Sequence, residues 1–336
     1  MKVREAYERA ATEMAALLAQ GEVLTDEDRK LLVAEYAKIY FTIYQQYKIG
    51  VVSALPKEAA AVRLSVDDEQ PLYNQISGMT YTSGTIPAAH DTGTHFIVSV
   101  QAPKMGNSAA AIAAMGLLKD FPNLTDVIMV GIAGGVPNAK SFEKDVRLGD
   151  LVVSRDKGLV QYDMTKIEDK EIIVRCSAPP PSQKLIAVVD RIEQERIAHG
   201  RRPWEQHIDR CTKLENGRRP PDDTDEFRTE RKYAEADDAR RKPGFPVVFF
   251  GTIGSANSLV KKNTLRDELA QKFNVLAVEM EGSGIADATW FYGVGYLIIR
   301  GICDYCDGRK GDRWQGYAAA VAAAYFRSVL EALPNN

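Results

Sequence analysis

A succession of short apolar runs, several of them delivering glycine or an acid at the end, most restricts what this chain can fold into. KIGVVSAL opens the series at Lys48, and MTYTSGTI, THFIVSVQ, DVIMVGIA, DLVVS, VVFFGTI, VLAVEM and GYLIIRGI continue it. Runs of this length, dense in Val and Ile, read as buried strands. Helical segments separate several of them, at about 107–119, 262–273 and 282–291, and a last one covers about 314–333. The expected fold is α/β, with a mixed central sheet flanked by helices on both faces. Ligands in such folds sit at the carboxyl ends of strands.

Two segments fall outside this alternation. Residues 1–47 read as a helical extension, with helices at 2–19 and about 25–46. The second exposes Leu31, Leu32, Tyr36, Ile39, Tyr40 and Ile43, an apolar surface that needs the body of the protein, a second copy or another chain. Residues 48–336 then form the main domain. Within it, about 191–245 is rich in charge and proline without a long apolar run, and is expected to be a solvated insertion, partly helical or mobile.

The 336 residues carry a net charge of −3, which argues against nucleic-acid binding. No apolar run approaches the roughly 20 residues of a membrane span. The first residues, MKVREAYERA, lack a signal-peptide core, so a soluble cytoplasmic protein is expected. Four cysteines are too few and scattered for a disulfide framework. Cys303 and Cys306 form one C-x-x-C without a second pair, and His207 and Cys211 stand four apart. Neither spacing argues for a metal, and no cofactor is expected.

Four stretches at strand ends carry candidate chemistry. In VVSALPKEAAAV, Glu58 follows the first strand and opens a helix, where the dipole alone favours an acid. In VGIAGGVPN, Gly134 and Gly135 let backbone approach a ligand. VLAVEMEG delivers Glu279 and Glu281 to one strand face, where they need donors: a sugar diol, or a salt bridge to Arg300. GYLIIRGICD ends in Asp304, placed either to give up a proton or to cap the following turn.

Together these stretches resemble the nucleoside phosphorylase superfamily, and within it the methylthioadenosine/S-adenosylhomocysteine nucleosidase branch. The motifs are K-I-G-x-x-x-A-x-x-x-E at Lys48–Glu58, G-x-A-G-G at Gly131–Gly135, E-M-E at Glu279–Glu281 and R-x-x-x-D at Arg300–Asp304. The closing run RGICDYCDGRKGDRWQGYAAAVAAAYF is similar to a sub-branch fused to immune-receptor proteins. The resemblance implies that Glu58 activates a water and Asp304 protonates the purine at N7. It implies that Glu281 accepts the ribose diol, with Met280 packing on the sugar. Gly134, Met105 and Gly106 would lie near base and ribose. The adenine-binding stretch falls on Ser255, Asn257, Leu259 and Val260, with Leu259 in place of the usual stacking aromatic. Cys303 replaces a serine and would help orient Asp304.

The phosphorylase signature G-D-P-x-R is absent from the first strand turn, where Glu58 would repel an anion. Water is therefore the expected nucleophile. Lys57, Arg63, Lys104, Lys261, Lys262, Arg309, Lys310 and Arg313 lie near the site loops. Together with the resemblance to the immune-associated sub-branch, which implies a role in antiphage defence, they point to a 5′-phosphorylated adenine nucleotide such as AMP or ATP. The alternatives are methylthioadenosine-type nucleosides or a phosphorylase. A homo-oligomer is implied by the resemblance, and an upstream immune activator is a further expected partner.

Overall fold

The computed structural model describes residues 44–74, 77–167, 172–174, 178–233, 238–308 and 311–335, with Thr25, Asp26 and Lys30. The helices expected at 2–19 and 25–46 fall almost wholly outside the described residues. The chain proceeds through β1 (Tyr47–Ser53), α1 (Pro56–Ser65), β2 (Asp67–Tyr73), β3 (Thr80–Pro87), β4 (Thr94–Gln101), α2 (Asn107–Asp120), β5 (Asp126–Gly135) and β6 (Leu151–Gln161). A small hairpin, β7 (Thr165–Ile167) and β8 (Ile172–Val174), leads to α3 (Gln183–His199) and β9 (Val248–Ser255). Then come α4 (Asn263–Phe273), β10 (Val275–Glu279), α5 (Gly282–Tyr292), β11 (Gly295–Asp304) and α6 (Gln315–Ala332).

Nine strands form one sheet in the order β10-β9-β6-β11-β5-β1-β4-β3-β2. Parallel pairs β1–β4, β1–β5, β5–β11, β6–β9 and β9–β10 mix with antiparallel β6–β11, β2–β3 and β3–β4. The sheet also curls back on itself: β10 pairs antiparallel with the end of β5 at Ala277–Gly135 and Val278–Gly134. That closure brings the ends of β5, β10 and β11 together.

Central strands are apolar on both faces because helices cover both. Val51, Val52, Ile128, Met129, Leu297, Ile298 and Ile299 are all buried. Helix α6 can be alanine-rich because it lies directly on β11, where a Cβ at Gly301 would collide with the Ala318 carbonyl. Helices α2 and α5 pack equally closely, for a Cβ at Gly284 would collide with the Asn107 carbonyl.

The segment 191–245 is not a solvated insertion. Its first nine residues finish α3, which Ser182 caps through the Leu185 N–H and Gly200 ends in the left-handed region at φ 68°. Beyond it, Trp204, Ile208, Cys211 and Phe227 join the main core, and Trp204 meets Tyr325 edge-on with ring centroids 5.5 Å apart. Many of the segment's charges are paired: Arg231 with Asp145 and Asp225, Arg241 with Asp150, Arg240 with Asp238, and Lys242 with Glu205. Composition counts these charges as solvated, whereas a few aromatic anchors and buried acids at 145–150 hold them down.

Candidate active site

Glu58 sits in the first turn of α1, directly after β1. Its Oε2 accepts the N–H groups of Ala54 and Leu55, each at 2.8 Å, and its Oε1 accepts the Ile132 N–H at 2.8 Å. Burial still dominates: desolvation raises its pKa above the ordinary carboxylate range, against the opposing pull of Arg300 and the three backbone donors.

Arg300, fully buried on β11, gathers three carboxylates. Its Nη2 donates to Glu279 Oε2 and, at 3.2 Å, to Glu281 Oε2, while Nη1 stands 4.0 Å from Glu58 Oε1. Nε and Nη1 have no hydrogen-bond acceptor among the described residues. Burial would lower the arginine's pKa, and the three carboxylates more than reverse this. Glu281 is pushed up to about 7, first by desolvation and further by its carboxylate neighbours, with Arg300 opposing.

Strand alternation does not explain the glutamate pair. Glu279 ends β10, but Glu281 lies beyond it, at the N-cap of α5. The two converge because Arg300 receives both. Glu279 also accepts the N–H groups of Glu281 and Gly282, which fixes the turn. Glu281 Oε1 accepts the Gly106 N–H at 3.0 Å, joining this turn to the start of α2.

Asp304, at the end of β11, has Oδ1 bonded to the Cys306 N–H at 2.9 Å and Oδ2 to Cys303 Sγ at 3.3 Å. Cys303 thus touches the carboxylate it was expected to orient. The G-x-A-G-G motif follows from close approach. A Cβ at Gly131 would collide with Arg300 and lie 2.7 Å from Glu58 Oε1. One at Gly134 would collide with Cys306 Sγ and lie 2.9 Å from Asp304 Oδ1.

A cavity of about 640 Å³ brings Glu58, Glu279, Met280, Glu281 and Asp304 together with Gly134, Met105, Leu259 and Val260. That volume lies within the range of small-molecule sites. Other expected residues lie outside the lining. Ser255 Oγ donates to Asn107 Oδ1, and Asn257 Oδ1 accepts the Asn107 N–H, so both brace the start of α2. Gly106 and Arg300 support the glutamates. Lys104 is exposed and outside the lining.

Of the basic residues, Lys57 lines the cavity and donates to Gln315 Oε1 at 2.6 Å. Arg63 is tied to Glu69 at 2.9 Å on the surface. Lys261 and Lys262 are exposed, Arg313 lines a neighbouring cavity that shares Asp304, and Arg309 and Lys310 lie outside the described residues. Sequence reasoning missed Gln315, Cys306, Leu214 and Glu215 as lining residues. The last two come from the segment read as an insertion. The glycine at 316 is their one sequence signal, since a Cβ there would collide with the Glu215 carbonyl. His207 and Cys211 diverge, to Glu331 and the Ala61 carbonyl. Among the described residues no three His, Cys, Asp or Glu side chains cluster as metal ligands, and no helix is long and apolar enough to cross a membrane.

The family described as the phosphorylase superfamily matches residues 48–333. A nucleotide-binding leucine-rich repeat (NLR)-like protein of Hyaloscypha variabilis is 32% identical over 85% of this chain, and the chain spans 29% of that relative's length. A 5′-methylthioadenosine/S-adenosylhomocysteine nucleosidase of Mycobacterium bovis is 24% identical, covering 85% of this chain and 96% of that protein. Among solved structures, S-adenosylhomocysteine nucleosidase from Streptococcus pyogenes superposes with a TM-score of 0.58 at 20% identity, covering 86% of this chain and 98% of its own. The futalosine hydrolase of Helicobacter pylori gives 0.56 at 19% identity over 85% and 98%. These likenesses show the fold.

Proposed function

Because the chain belongs to the phosphorylase superfamily, we propose that it hydrolyses the N-glycosidic bond of adenine nucleotides such as AMP or ATP, releasing adenine and a ribose phosphate. The observation that carries this reading is one cavity with Asp304 at the end of β11, Glu281 at the start of α5 and Glu58 at the start of α1. Glu58 takes a proton from the attacking water. The water oxygen bonds to C1′ as the C1′–N9 bond breaks, and Asp304 supplies a proton to N7 so that adenine leaves neutral. Glu281 accepts the ribose hydroxyls. Proton transfers of this kind each contribute about 10²–10⁴-fold.

Water is favoured over phosphate for a local reason. The backbone N–H groups of Ala54 and Leu55, at a helix N-terminus that would suit an anion, are occupied by Glu58. A phosphate there would meet a carboxylate instead of donors.

Lys57 supports a 5′-phosphate, and Lys104 and Lys261 adjoin the lining residues Met105 and Val260 in sequence. A second reading, a 5′-thioether nucleoside, is favoured by the apolar lining of Leu55, Met105, Ile132, Leu214, Leu259 and Val260. Adenine release from ATP, AMP and methylthioadenosine separates the two. The nucleotide reading expects Lys57→Ala to lower kcat/KM for AMP roughly 10-fold or more, the worth of a hydrogen bond to a charged group, and to spare methylthioadenosine. Release from methylthioadenosine alone would remove it.

We further propose a role in antiphage defence, by nucleotide depletion after an upstream activator; the likeness to an NLR-like protein supports an effector role. It predicts a fall in host ATP on expression of the chain, absent with Asp304→Asn. We also propose self-association. Trp290 and Phe291 on α5 and Ile112 on α2 are 71%, 72% and 66% exposed, and a second copy is the expected cover. A Trp290→Glu/Phe291→Glu pair that leaves the sedimentation coefficient unchanged would dismiss this surface.

A further inference from the structure

Residues 219–231 and 241–245, with the loop before β6 and Trp314, enclose a further, smaller cavity of about 210 Å³. Its lining carries six cationic side chains, Arg147, Arg219, Arg228, Arg231, Arg241 and Lys242, against two carboxylates, Asp222 and Asp225. We infer that this is a binding site for a ligand carrying two or more phosphates, distinct from the catalytic cavity.

Ion pairs hold five of these six cations in place, and three of their acids, Asp145, Asp150 and Glu205, lie outside the lining. Asp145 holds Arg147 Nε at 3.0 Å and Arg231 Nε at 2.7 Å, and Asp150 holds Arg241 Nη2 at 2.8 Å. Asp145 and Asp150 lie outside the lining and so stand behind Arg147 and Arg241, whereas Asp222 and Asp225 hold Arg219 at 2.7 Å and Arg231 at 2.9 Å from within it. Arg241 Nε is buried without a hydrogen-bond acceptor among the described residues, with Asp238 Oδ2 3.6 Å away. Arg228 is exposed. Guanidinium groups fixed from behind, as Arg147 and Arg241 are, are pre-organised for bidentate contact with phosphate oxygens.

Size points the same way. The volume falls below the roughly 300–1,000 Å³ of sites that enclose a whole drug-sized molecule. It suits a phosphate chain, with any organic body lying in the adjoining cavity of about 640 Å³ that shares Arg219, Gly244 and Phe245. The site also touches the residue after the catalytic acid. Arg231 Nη2 donates to the Tyr305 hydroxyl at 3.2 Å, that hydroxyl donates to Asp225 Oδ1 at 3.0 Å, and Tyr305 follows Asp304 in sequence.

The test is direct and does not depend on the proposed reaction. Binding of inorganic tripolyphosphate to the full chain is measured by calorimetry at about 150 mM salt, where long-range attraction is screened beyond about 8 Å. Arg228→Glu/Lys242→Glu changes two exposed members of the lining and, among the site's ion pairs, breaks only that of Lys242 with Glu205. Lys119→Glu/Lys272→Glu makes the same charge change on α2 and α4. Saturable binding of one tripolyphosphate per chain is expected, weakened at least tenfold in the first variant, kept in the second, and kept with adenosine in excess. Absence of saturable binding, equal loss in both variants, no loss in the first, or displacement by adenosine would each overturn the inference.

Discussion

Three carboxylates share one guanidinium beneath the cavity, and two of them keep their protons to higher pH than a free carboxyl. Glu58 and Glu281 both carry raised pKa values, mainly from burial. For Glu281 the folded value of about 7 exceeds the ordinary 4.5. The folded state therefore holds the extra proton between those limits. Its contribution to stability is full below about 4.5 and is lost as pH rises through about 7. Glu281→Gln should accordingly stabilise the apo protein more at pH 8.5 than at pH 5, by roughly 3 kcal/mol at most. Thermal melts at the two pH values check this, and a gain that is larger at pH 5 would contradict it. Removing the shared cation acts the other way. Arg300→Met leaves buried carboxylates unpaired and should cost about 3–5 kcal/mol in a denaturant titration. As pH rises through the raised range of Glu58, kcat/KM should rise too, since the base works ionised; a flat profile there would remove Glu58 from that role.

The ends of β5, β10 and β11 make the site, and much of this was legible in the sequence. Short Val- and Ile-rich runs announce buried strands because both sheet faces are covered, and acids or glycines at their ends mark where backbone meets ligand. Strand β2 was not legible. DDEQPLY has few apolar residues because it is an edge strand that stays largely exposed. The route by which Glu281 reaches Arg300 was hidden as well, since it depends on the turn after β10 and on a partner from β11. The motif glycines, by contrast, can now be explained by space. Gly134→Ala should displace Asp304 or Cys306 and lower kcat by about 10²-fold or more, the scale of a misplaced catalytic group. Its Tm should fall by only a few degrees; full activity would show that the β5 end tolerates a side chain.

At the scale of the molecule, the segment after α3 closes one side of the cavity with Leu214 and Glu215 and anchors itself through Trp204. Composition gave no hint of this, because charge content does not reveal which charges are paired and one buried indole weighs little in an average. Trp204→Ala should destabilise the whole domain by about 3–5 kcal/mol in a single transition; a local loss at this segment alone would restore the solvated picture. The central claim concerns the bond that breaks and the nucleophile that takes it. The most direct measurement is adenine release from AMP, followed by chromatography with and without inorganic phosphate, for the wild type and Asp304→Asn. The account predicts release at the same rate in both buffers and a loss of about 10²–10⁴-fold in the variant. Release that requires phosphate, or that survives in Asp304→Asn, would contradict it.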